Sequence, residues 1–227
     1  MTSLLKPEVT LIVTSSVDGC LVSRDSDSLD QNKGWKDSNV VRGLVQQFFD
    51  FSHNSDIYNL TTGETMVRIG LNNEIYIPKK TDLRLIIIDF DDELSFLGVS
   101  RLANSVEKLI LVTHHRRRDL VRKLLPKNCR IIIAGSQLPI VQLMNLLVIK
   151  CRVKKITIQS AGFLNNQWMS ANIVDYLSVI LYPLIVNKNG TPTFAGLEWF
   201  PVKPLQLISS QVFDTNYLSL RYKVLNI

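Results

Sequence analysis

The sequence predicts an α/β fold with three layers: a mainly parallel central sheet between helices, with an antiparallel hairpin at the C-terminal end. Up to about residue 160, short apolar runs alternate with helix-like segments, which is typical of parallel strands buried on both faces. In the last third, strand-like runs follow one another with few helical signals between them, which favours an antiparallel ribbon. The chain has 227 residues, and we expect residues 1–227 to form a single domain.

The predicted strands are compact runs rich in Val, Ile and Leu. The clearest is LRLIIIDF at 83–90, which is expected at the centre of the sheet. In chain order, the predicted strands are 9–14, 56–60, 83–90, 108–113, 130–134, 155–159, 177–181, 205–213 and 217–224. The last two flank the sequence DTN at 214–216, which favours a hairpin turn.

Three helices are predicted between these strands. The first covers about 38–51, because a capping residue precedes it and its apolar residues recur at the spacing of one helix face. A basic helix is expected at 116–125. The third begins at Pro139, which suits the first turn of a helix, and ends near Lys150. This third helix is apolar nearly all round, so we expect it to be fully buried or to form part of an oligomer contact.

The charge balance favours anionic ligands. The chain has 26 basic and 20 acidic residues, a formal net charge of +6, and an isoelectric point near 9.3. A mild positive excess of this kind suits phosphates. No aromatic residues are interleaved with the basic ones, so we expect no nucleic-acid partner.

The sequence also argues against a membrane protein or a secreted protein. No apolar run approaches the ~20 residues that a membrane-spanning helix needs, and the N-terminus lacks a secretory signal. The three cysteines include no CxxC pair, so neither a disulfide framework nor a zinc site is expected. We therefore expect a cytoplasmic protein with reduced thiols and no membrane partner.

Three strand ends carry residues suited to ligand binding. Ligands in open α/β sheets bind at the carboxyl ends of the strands. The candidate junctions are 14–19, 61–65 and 159–162, where hydroxyls, a glycine or backbone N–H groups precede a helix or loop. Such a junction can hold a phosphate, although each one alone is more often a tight turn. Neither GxGxxG nor a P-loop pattern is present.

Two charged clusters have a plain alternative explanation. The acidic residues at 89–93 lack the spacing of an EF-hand, so we interpret them as solvated loop charges and predict no metal site. His114 and His115 precede three arginines. This cluster indicates an anion only weakly, since an exposed helix start also explains it.

Three motifs occur in an order that resembles a known family. SSVDG at 15–19 follows the first strand, SDIYNLTTG at 55–63 contains the second, and KKITIQSAGFLNNQWMSANIVDYL follows at 154–177. This order is similar to that of the dihydrofolate-reductase-like reductases of riboflavin biosynthesis. That family includes stand-alone diaminopyrimidine ribosylaminophosphate reductases and the reductase half of the bifunctional deaminase–reductase. The matching residues are Asp18, Gly19, Asp56, Gly63, Gly162, Leu164, Asn165, Ala171, Val174, Asp175 and Pro183.

The resemblance implies an NADPH-dependent reductase, usually a homodimer, that transfers a hydride to C1′ of a ribosylaminopyrimidine phosphate. It implies Asp18 as the catalytic residue. It also implies a phosphorylated small-molecule substrate that is bound by Ser16, Gly19 and Gln159. The residues implied to bind NADPH are Thr61, Thr62, Gly63, Thr113, His114, Ser160, Ala161, Gly162 and Phe163.

The sequence departs from the family pattern at the cofactor motifs. The family's E-G-G corresponds to QSAG here, so Gln159 or Ser160 replaces the acid and Ala161 replaces a glycine. Thr61 stands at the first glycine of a G-x-G, and Glu64 falls where a threonine is usual, although a shift of one residue puts Thr65 there. A methyl group or a carboxylate at these places opposes the approach of a pyrophosphate. The alternative is a non-catalytic or altered-specificity relative of the same fold that binds an anionic metabolite or a partner protein.

Overall fold

The computed structural model describes most of the central sheet and helices on both of its sides. It describes residues 5–20, 58–68, 70–72, 80–113, 125–135, 138–160, 162–183, 185, 202–212 and 217–225, without the side chains of residues 68, 162 and 163. The predicted helix 38–51 and the predicted turn 214–216 lie outside these residues. All of the predicted basic helix 116–125 except its last residue also lies outside them.

The described residues form nine strands and four helices. The strands are β1 (Glu8–Ser16), β2 (Tyr58–Thr62), β3 (Arg84–Asp89), β4 (Lys108–Thr113), β5 (Cys129–Ile133), β6 (Lys155–Gln159), β7 (Tyr176–Tyr182), β8 (Leu205–Val212) and β9 (Leu218–Val224). The helices are α1 (Gly63–Arg68), α2 (Phe96–Ser105), α3 (Ile140–Cys151) and α4 (Gly162–Ser170). Every predicted strand is present, and the fourth and sixth have the predicted bounds.

These strands form one sheet in the order β5-β4-β3-β2-β6-β1-β7-β9-β8. The strands from β5 to β7 in this order pair in parallel with their neighbours. β9 is antiparallel to β7, and β8 is antiparallel to β9. The predicted architecture, a mainly parallel sheet with a C-terminal antiparallel hairpin, is therefore confirmed.

Helices pack on both sides of the sheet and so define two faces. We call the side that contacts α3 and α4 the first face; its core includes Leu60 and Ile158 from the sheet and Trp168 from α4. The side that contacts α1 and α2 is the second face, where Ile87 of β3 packs with Met66 of α1. β3, β4 and β5 contribute to both cores because successive side chains of a strand point to opposite sides.

Helix α3 lies where the sequence predicts it, but it is not fully buried. Leu143, Met144, Leu147 and Cys151 pack into the first-face core, whereas Ile149 is 66% exposed. The expectation of a fully buried helix is therefore wrong, because only one side of α3 contacts the sheet. The other expectation, an oligomer contact through its outer side, stays a prediction.

Helix α2 is not among the helices that the sequence predicts. Ser95 caps it, since the Ser95 hydroxyl accepts a hydrogen bond from the backbone N–H of Gly98 (3.1 Å). A β-carbon at Gly98 would lie 2.5 Å from Asn72 Oδ1, so the glycine allows a close contact. Glycine also weakens the helical signal of this segment, and the helix is stabilised by burying Val99 and Leu102 on the second face.

The described residues include the three cysteines and four helices, which concern the expected state of the thiols and the question of a membrane-spanning helix. The three cysteines carry free thiols. Burial raises the pKa of Cys129, at the start of β5, to about 12, so this thiol stays protonated at neutral pH. None of the described helices is both long and apolar enough to cross a membrane.

Candidate functional site

Two neighbouring strands of the sheet are followed by helices on opposite faces. β2 and β6 are parallel neighbours, with Leu60 opposite Ile158. α1 follows β2 directly and packs on the second face through Met66. α4 follows β6 and packs on the first face through Trp168. The sheet therefore has a switch point between β2 and β6, and open α/β sheets bind ligands in the crevice beyond the strand ends at such a point.

Two of the three predicted junctions meet at this switch point, and the third lies at the same edge of the sheet. Residues 61–65 end β2 and begin α1, and residues 159–162 connect β6 to α4. β1 is the other neighbour of β6, with Ile12 opposite Gln159, and it continues to Ser16, so the turn after β1 lies at the same edge but beyond the other two junctions. The structure thus brings to one edge of the sheet residues that are far apart in the sequence. Their roles in binding stay predictions.

The turn after β1 is closed by its own residues. The Ser16 hydroxyl donates to Asp18 Oδ1 (2.5 Å), and the backbone N–H of Cys20 donates to Ser16 Oγ (3.0 Å). Gly19 has a φ of +80°, a left-handed conformation that favours glycine. Burial, followed by the nearby Asp18 carboxylate, raises the pKa of the Cys20 thiol. Ser16 is fully buried and shapes the turn, whereas Asp18 is exposed and can meet a ligand.

The start of α1 has a threonine cap. Thr62 Oγ1 accepts a hydrogen bond from the backbone N–H of Thr65 (3.2 Å) and lies 3.0 Å from Thr65 Oγ1. A side-chain oxygen that accepts from the third residue of a helix satisfies one of its unpaired amides. The Thr62 hydroxyl is therefore engaged by the helix itself.

A buried carboxylate lies against the same helix start. Asp89, the last residue of β3, is 2% exposed, and its Oδ1 accepts from the backbone N–H of Glu93 (2.9 Å). A β-carbon at Gly63 would lie 2.2 Å from Asp89 Oδ1, so this carboxylate explains the glycine. The expectation that 89–93 carries only solvated charges is wrong for Asp89, because β3 continues through it and loop amides bind its carboxylate. A carboxylate also suits the positive end of a helix, so the start of α1 already has an anion.

The start of α4 has no acidic residue in its first turn. The Ser160 hydroxyl donates to Asn165 Oδ1 (2.8 Å) and accepts from the indole N–H of Trp168 (3.0 Å). Asn165 and Trp168 are fully buried, so this network fixes α4 to the end of β6. Ala161 and the side chain of Phe163, both predicted to bind the cofactor, lie outside the described residues.

The predicted residues at the end of β4 lie farther along the sheet edge. Thr113 is fully buried opposite Asp89, and its hydroxyl donates to Asp92 Oδ1 (3.5 Å). β4 is three strand spacings away from β6, about 15 Å. Only an extended ligand that crosses the ends of β2 and β3 can touch both places. His114 lies outside the described residues.

The second face is polar where β2, β6 and β1 run side by side. Asn59, Thr157 and Thr10 form one row across these strands and are at most 5% exposed. Thr61 lies two residues beyond Asn59 on the same face of β2 and is 1% exposed. Among the described residues, the hydroxyls of Thr10, Thr61 and Thr157 are buried without a hydrogen-bond partner. We call these four residues the polar patch, and unpaired buried hydroxyls of this kind suit ordered water or polar groups of a ligand.

The polar patch has a signal in the sequence. In KITIQ a threonine lies between two isoleucines, and in VTLIVT Thr10 and Thr14 share one face with Ile12, so each strand has one face that is partly polar. The expectation that these strands are apolar on both faces is therefore wrong for β1 and β6. Threonine is β-branched and favours strands, so it does not weaken the strand signal. Its hydroxyl nevertheless makes the face on which it lies more polar.

Comparison with known proteins agrees with the observed architecture. No protein-family model and no curated protein matches the sequence. Among solved structures, RibD from Acinetobacter baumannii matches with a TM-score of 0.68 and 16% identity, over 99% of this chain and 60% of that one. A pyrimidine reductase-like protein from Corynebacterium diphtheriae matches with a TM-score of 0.68 and 16% identity, over 100% of this chain and 95% of that one.

A third match is a diaminohydroxyphosphoribosylaminopyrimidine deaminase/5-amino-6-(5-phosphoribosylamino)uracil reductase from Thermotoga maritima. Its TM-score is 0.65 at 15% identity, over 97% of this chain and 57% of that one. The chain therefore spans about three-fifths of the length of RibD and of the Thermotoga protein.

The strand order and the helices on both faces define a class, the three-layer α/β proteins with a mainly parallel sheet. Within that class, this chain has the fold of the riboflavin-biosynthesis reductases. The predicted dihydrofolate-reductase-like architecture is thus confirmed. A fold is shared by many activities, so the fold alone does not define the reaction.

Proposed function

We propose that this chain is an NADPH-dependent reductase of the riboflavin-biosynthesis type, which transfers a hydride to C1′ of a ribosylaminopyrimidine phosphate. The fold shared with a 5-amino-6-(5-phosphoribosylamino)uracil reductase supports the proposal. The observation that carries it is the switch point between β2 and β6. Around that point lie two helix starts, the polar patch and the exposed carboxylate of Asp18.

The residues at this edge fit a pyrophosphate better at α4 than at α1. At α1, the buried Asp89 carboxylate would repel a phosphate, and the Thr62 hydroxyl is engaged as the cap. At α4, the first turn has no acidic residue and begins with Gly162, so its amides suit a phosphate. We therefore assign the pyrophosphate to Ser160, Ala161, Gly162 and Phe163. When bound, NADPH supplies the hydride, and the chain supplies position.

Thr61 is the polar-patch residue that we assign to the cofactor. It lies beside Gln159 of β6, because Leu60 pairs with Ile158 one position earlier. Its hydroxyl is buried and has no partner among the described residues. A polar group of a ligand that reached this hydroxyl would supply its missing hydrogen-bond partner. We assign Gln159, on the neighbouring strand, to the substrate.

Asp18 is the residue that we assign to proton donation. Reduction of the imine form of the substrate adds a hydride to C1′ and a proton to the attached nitrogen, so the reaction needs an acid. Asp18 is exposed in the turn after β1, and the Ser16 hydroxyl donates to its carboxylate. Because it is exposed, the Asp18 carboxylate can bind a water molecule that passes a proton from solvent to this nitrogen. Ser16 and Gly19 then shape the substrate side of the turn.

Titration with NADPH tests the cofactor assignment. The Trp168 indole donates to Ser160 at the start of α4, so Trp168 fluorescence reports on the assigned pyrophosphate position. In a variant with Trp35→Phe and Trp199→Phe, we expect saturable quenching with a midpoint below about 1 mM, the upper end of the usual KM range. A signal that does not saturate at that concentration would contradict the assignment of NADPH.

Two matched variants separate cofactor binding from folding. Thr61→Val and Thr157→Val each remove a buried, unpaired hydroxyl and keep the shape of the side chain. Thr61 is near the strand ends, whereas Thr157 is deeper in the sheet. We expect Thr61→Val to weaken NADPH binding about fivefold, the worth of one hydrogen bond, and Thr157→Val to leave it unchanged. Equal effects of the two changes would remove Thr61 from the cofactor site.

Turnover of a ribosylaminopyrimidine phosphate tests the role of Asp18. Asp18→Asn keeps an oxygen that can accept from Ser16, so the turn should persist. We expect kcat to fall at least about a hundredfold, the usual contribution of an acid, with NADPH affinity unchanged. Asp91→Asn, an exposed carboxylate beyond β3, is the control and should leave kcat unchanged. If the Asp18→Asn enzyme kept its activity, another group would have to supply the proton.

A non-catalytic relative that binds an anionic metabolite or a partner protein is the second candidate. The start of α1 favours it, because Asp89 and the Thr62 cap leave little there for a cofactor phosphate. Such a protein would show no NADPH-dependent reduction. It would give a saturable Trp168 signal with inorganic pyrophosphate but none with NADPH.

We further propose that the protein is a cytoplasmic homodimer. Two exposed apolar surfaces are available for self-association. One is the outer side of α3, where Ile149 is 66% exposed, and the other is strand β8.

A further inference from the structure

One row of the second face, which begins at Thr61 of the polar patch, is only partly covered. Its members lie side by side on β2, β6, β1, β7 and β9, in the order Thr61, Gln159, Ile12, Ser178 and Arg221. The three central members are half-buried, although their strands lie inside the sheet. In contrast, Leu11 and Val13, on the first face of β1, are at most 3% exposed. The second face is therefore accessible to a ligand along this row.

Two cations of β9 lie at the far end of this row. Arg221 lies opposite Ser178, Lys223 lies opposite Tyr176, and both cations are exposed on the second face. The Arg221 guanidinium carbon lies 5.0 Å from the centre of the Tyr176 ring, so this side chain is directed toward β7. Stacking on an aromatic ring orients a guanidinium and leaves its N–H groups available to a ligand.

Neither cation of β9 pairs with a carboxylate among the described residues. The ion pairs described there are Lys6–Asp175, Arg84–Glu107 and Lys155–Glu8, all of them outside β9. Arg221 and Lys223 are two positions apart on one strand, so their charges project from the same face. Two neighbouring cations suit a doubly charged anion such as a phosphate monoester, to which a guanidinium donates two parallel hydrogen bonds.

We infer that Arg221, together with Lys223, binds the phosphate of the substrate. The inference rests on the proposed function and gives the substrate a direction, with its base at Gln159 and its phosphate at β9. β6 and β9 are three strand spacings apart, about 15 Å, and Arg221 shortens this span because it is directed toward β7. The substrate phosphate then lies on the second face, away from the NADPH pyrophosphate that we assign to the start of α4.

Binding of ribose 5-phosphate to the full chain, measured by calorimetry without NADPH, tests the site independently of the reduction. We expect saturable binding that Arg221→Gln weakens at least about tenfold, the worth of a hydrogen bond to a charged group. Arg130→Gln is the matched control: it removes an exposed arginine from β5, at the other edge of the sheet, and should leave the affinity unchanged. Circular dichroism and thermal unfolding check that both variants fold.

Equal weakening by Arg221→Gln and Arg130→Gln would reveal a general effect of charge and overturn the inference. Failure of the wild-type protein to bind ribose 5-phosphate would also overturn it. In the reductase assay, Arg221→Gln should raise KM for the ribosylaminopyrimidine phosphate at least about tenfold and leave the NADPH midpoint of Trp168 fluorescence unchanged.

The two assays distinguish a failure of this inference from a failure of the proposed function. An active reductase whose KM does not respond to Arg221→Gln overturns the phosphate site and leaves the proposed function standing. A protein that binds ribose 5-phosphate through Arg221 but neither binds NADPH nor reduces the substrate has the phosphate site without the proposed activity.

Discussion

The two faces of the sheet differ most where β2, β6 and β1 run side by side. On the first face, Leu60, Ile158 and Leu11 form one row and are fully buried in an apolar core. On the second face the same strands carry the polar patch, with three buried hydroxyls unpaired among the described residues. Both faces share one backbone, so the difference lies in alternate side chains. At these three strands the first face stabilises the fold, whereas the second face is suited to hydrogen bonds with polar groups that do not belong to the described residues.

The second face is itself divided along the sheet. Over β3 and β4 it is as apolar as the first face, with Ile87 and Leu111 fully buried. At β5, burial raises the pKa of Cys129 to about 12. The polar patch begins at β2, which is the strand at the switch point. A general preference of threonine for strands would not place it there, whereas a ligand site at the switch point would.

The largest effect of a substitution is expected on the first face. Ile158→Ala removes buried atoms from a closed core, so the free energy of unfolding should fall by about 2–5 kcal/mol. Denaturation in urea measures the loss. Ile149→Ala, at an exposed position, is the control and should change stability by less than about 0.5 kcal/mol. Similar losses for the two variants would refute the stabilising role of the first face.

The next effect is expected where a glycine meets the buried carboxylate. Gly63→Ala puts a β-carbon 2.2 Å from Asp89 Oδ1, so atoms must shift and the protein should lose about 1–3 kcal/mol of stability. Gly135→Ala is the control, because a β-carbon there meets no atom within 4 Å. Thermal unfolding of the two variants compares them.

A double variant tests whether the Asp89 carboxylate causes the loss of stability in Gly63→Ala. Asp89→Ala removes the two carboxylate atoms nearest to the new methyl group and leaves the Asp89 β-carbon at 3.1 Å. In this background, Gly63→Ala should cost clearly less than it does alone. An unchanged cost would mean that the carboxylate is not the reason for the glycine.

The sequence predicts the parallel sheet well because buried strands are locally recognisable. The runs at 108–113 and 155–159 have the predicted bounds, since each is rich in residues that favour strands. Helix α2 is harder to predict, because Gly98 serves a contact with Asn72 that lies far away in the sequence. The burial of Asp89 is also hard to predict, because its carboxylate accepts from loop amides that only the fold brings close to it.

The candidate site is predicted in part. The three junctions are visible as strand–turn–helix patterns, and their order resembles a family. Their adjacency depends on β6 pairing between β2 and β1, a non-local arrangement that no local pattern contains. The polar patch is visible as threonines within the predicted strands, yet whether a buried hydroxyl finds a partner depends on the fold.

A smaller effect is expected at the network that joins α4 to β6. Ser160→Ala leaves the buried indole N–H of Trp168 without its acceptor, so stability should fall by about 1–2 kcal/mol. Ser170→Ala is the control: Ser170 is exposed and donates to Asn166 at the other end of the helix (3.1 Å). Urea denaturation followed by Trp168 fluorescence measures both. Equal losses would show that the Ser160 network does not hold α4.

The smallest expected effect is a gain in stability, and it allows a direct comparison of the two faces of the sheet. Val9 and Thr10 are neighbours on β1 and are buried on opposite faces. Thr10→Val removes an unpaired buried hydroxyl, so the protein should gain about 0.5–1 kcal/mol of stability. The reverse change, Val9→Thr, buries a hydroxyl in the apolar core and should cost about 1–2 kcal/mol. Denaturation in urea measures both.

If Thr10→Val destabilises the protein, the Thr10 hydroxyl is paired with ordered water, and the polar patch stabilises the fold instead of serving a ligand. A gain in stability means that the unliganded protein carries an unfavourable hydroxyl on the face next to the switch point. Such a hydroxyl is expected where a ligand completes the site.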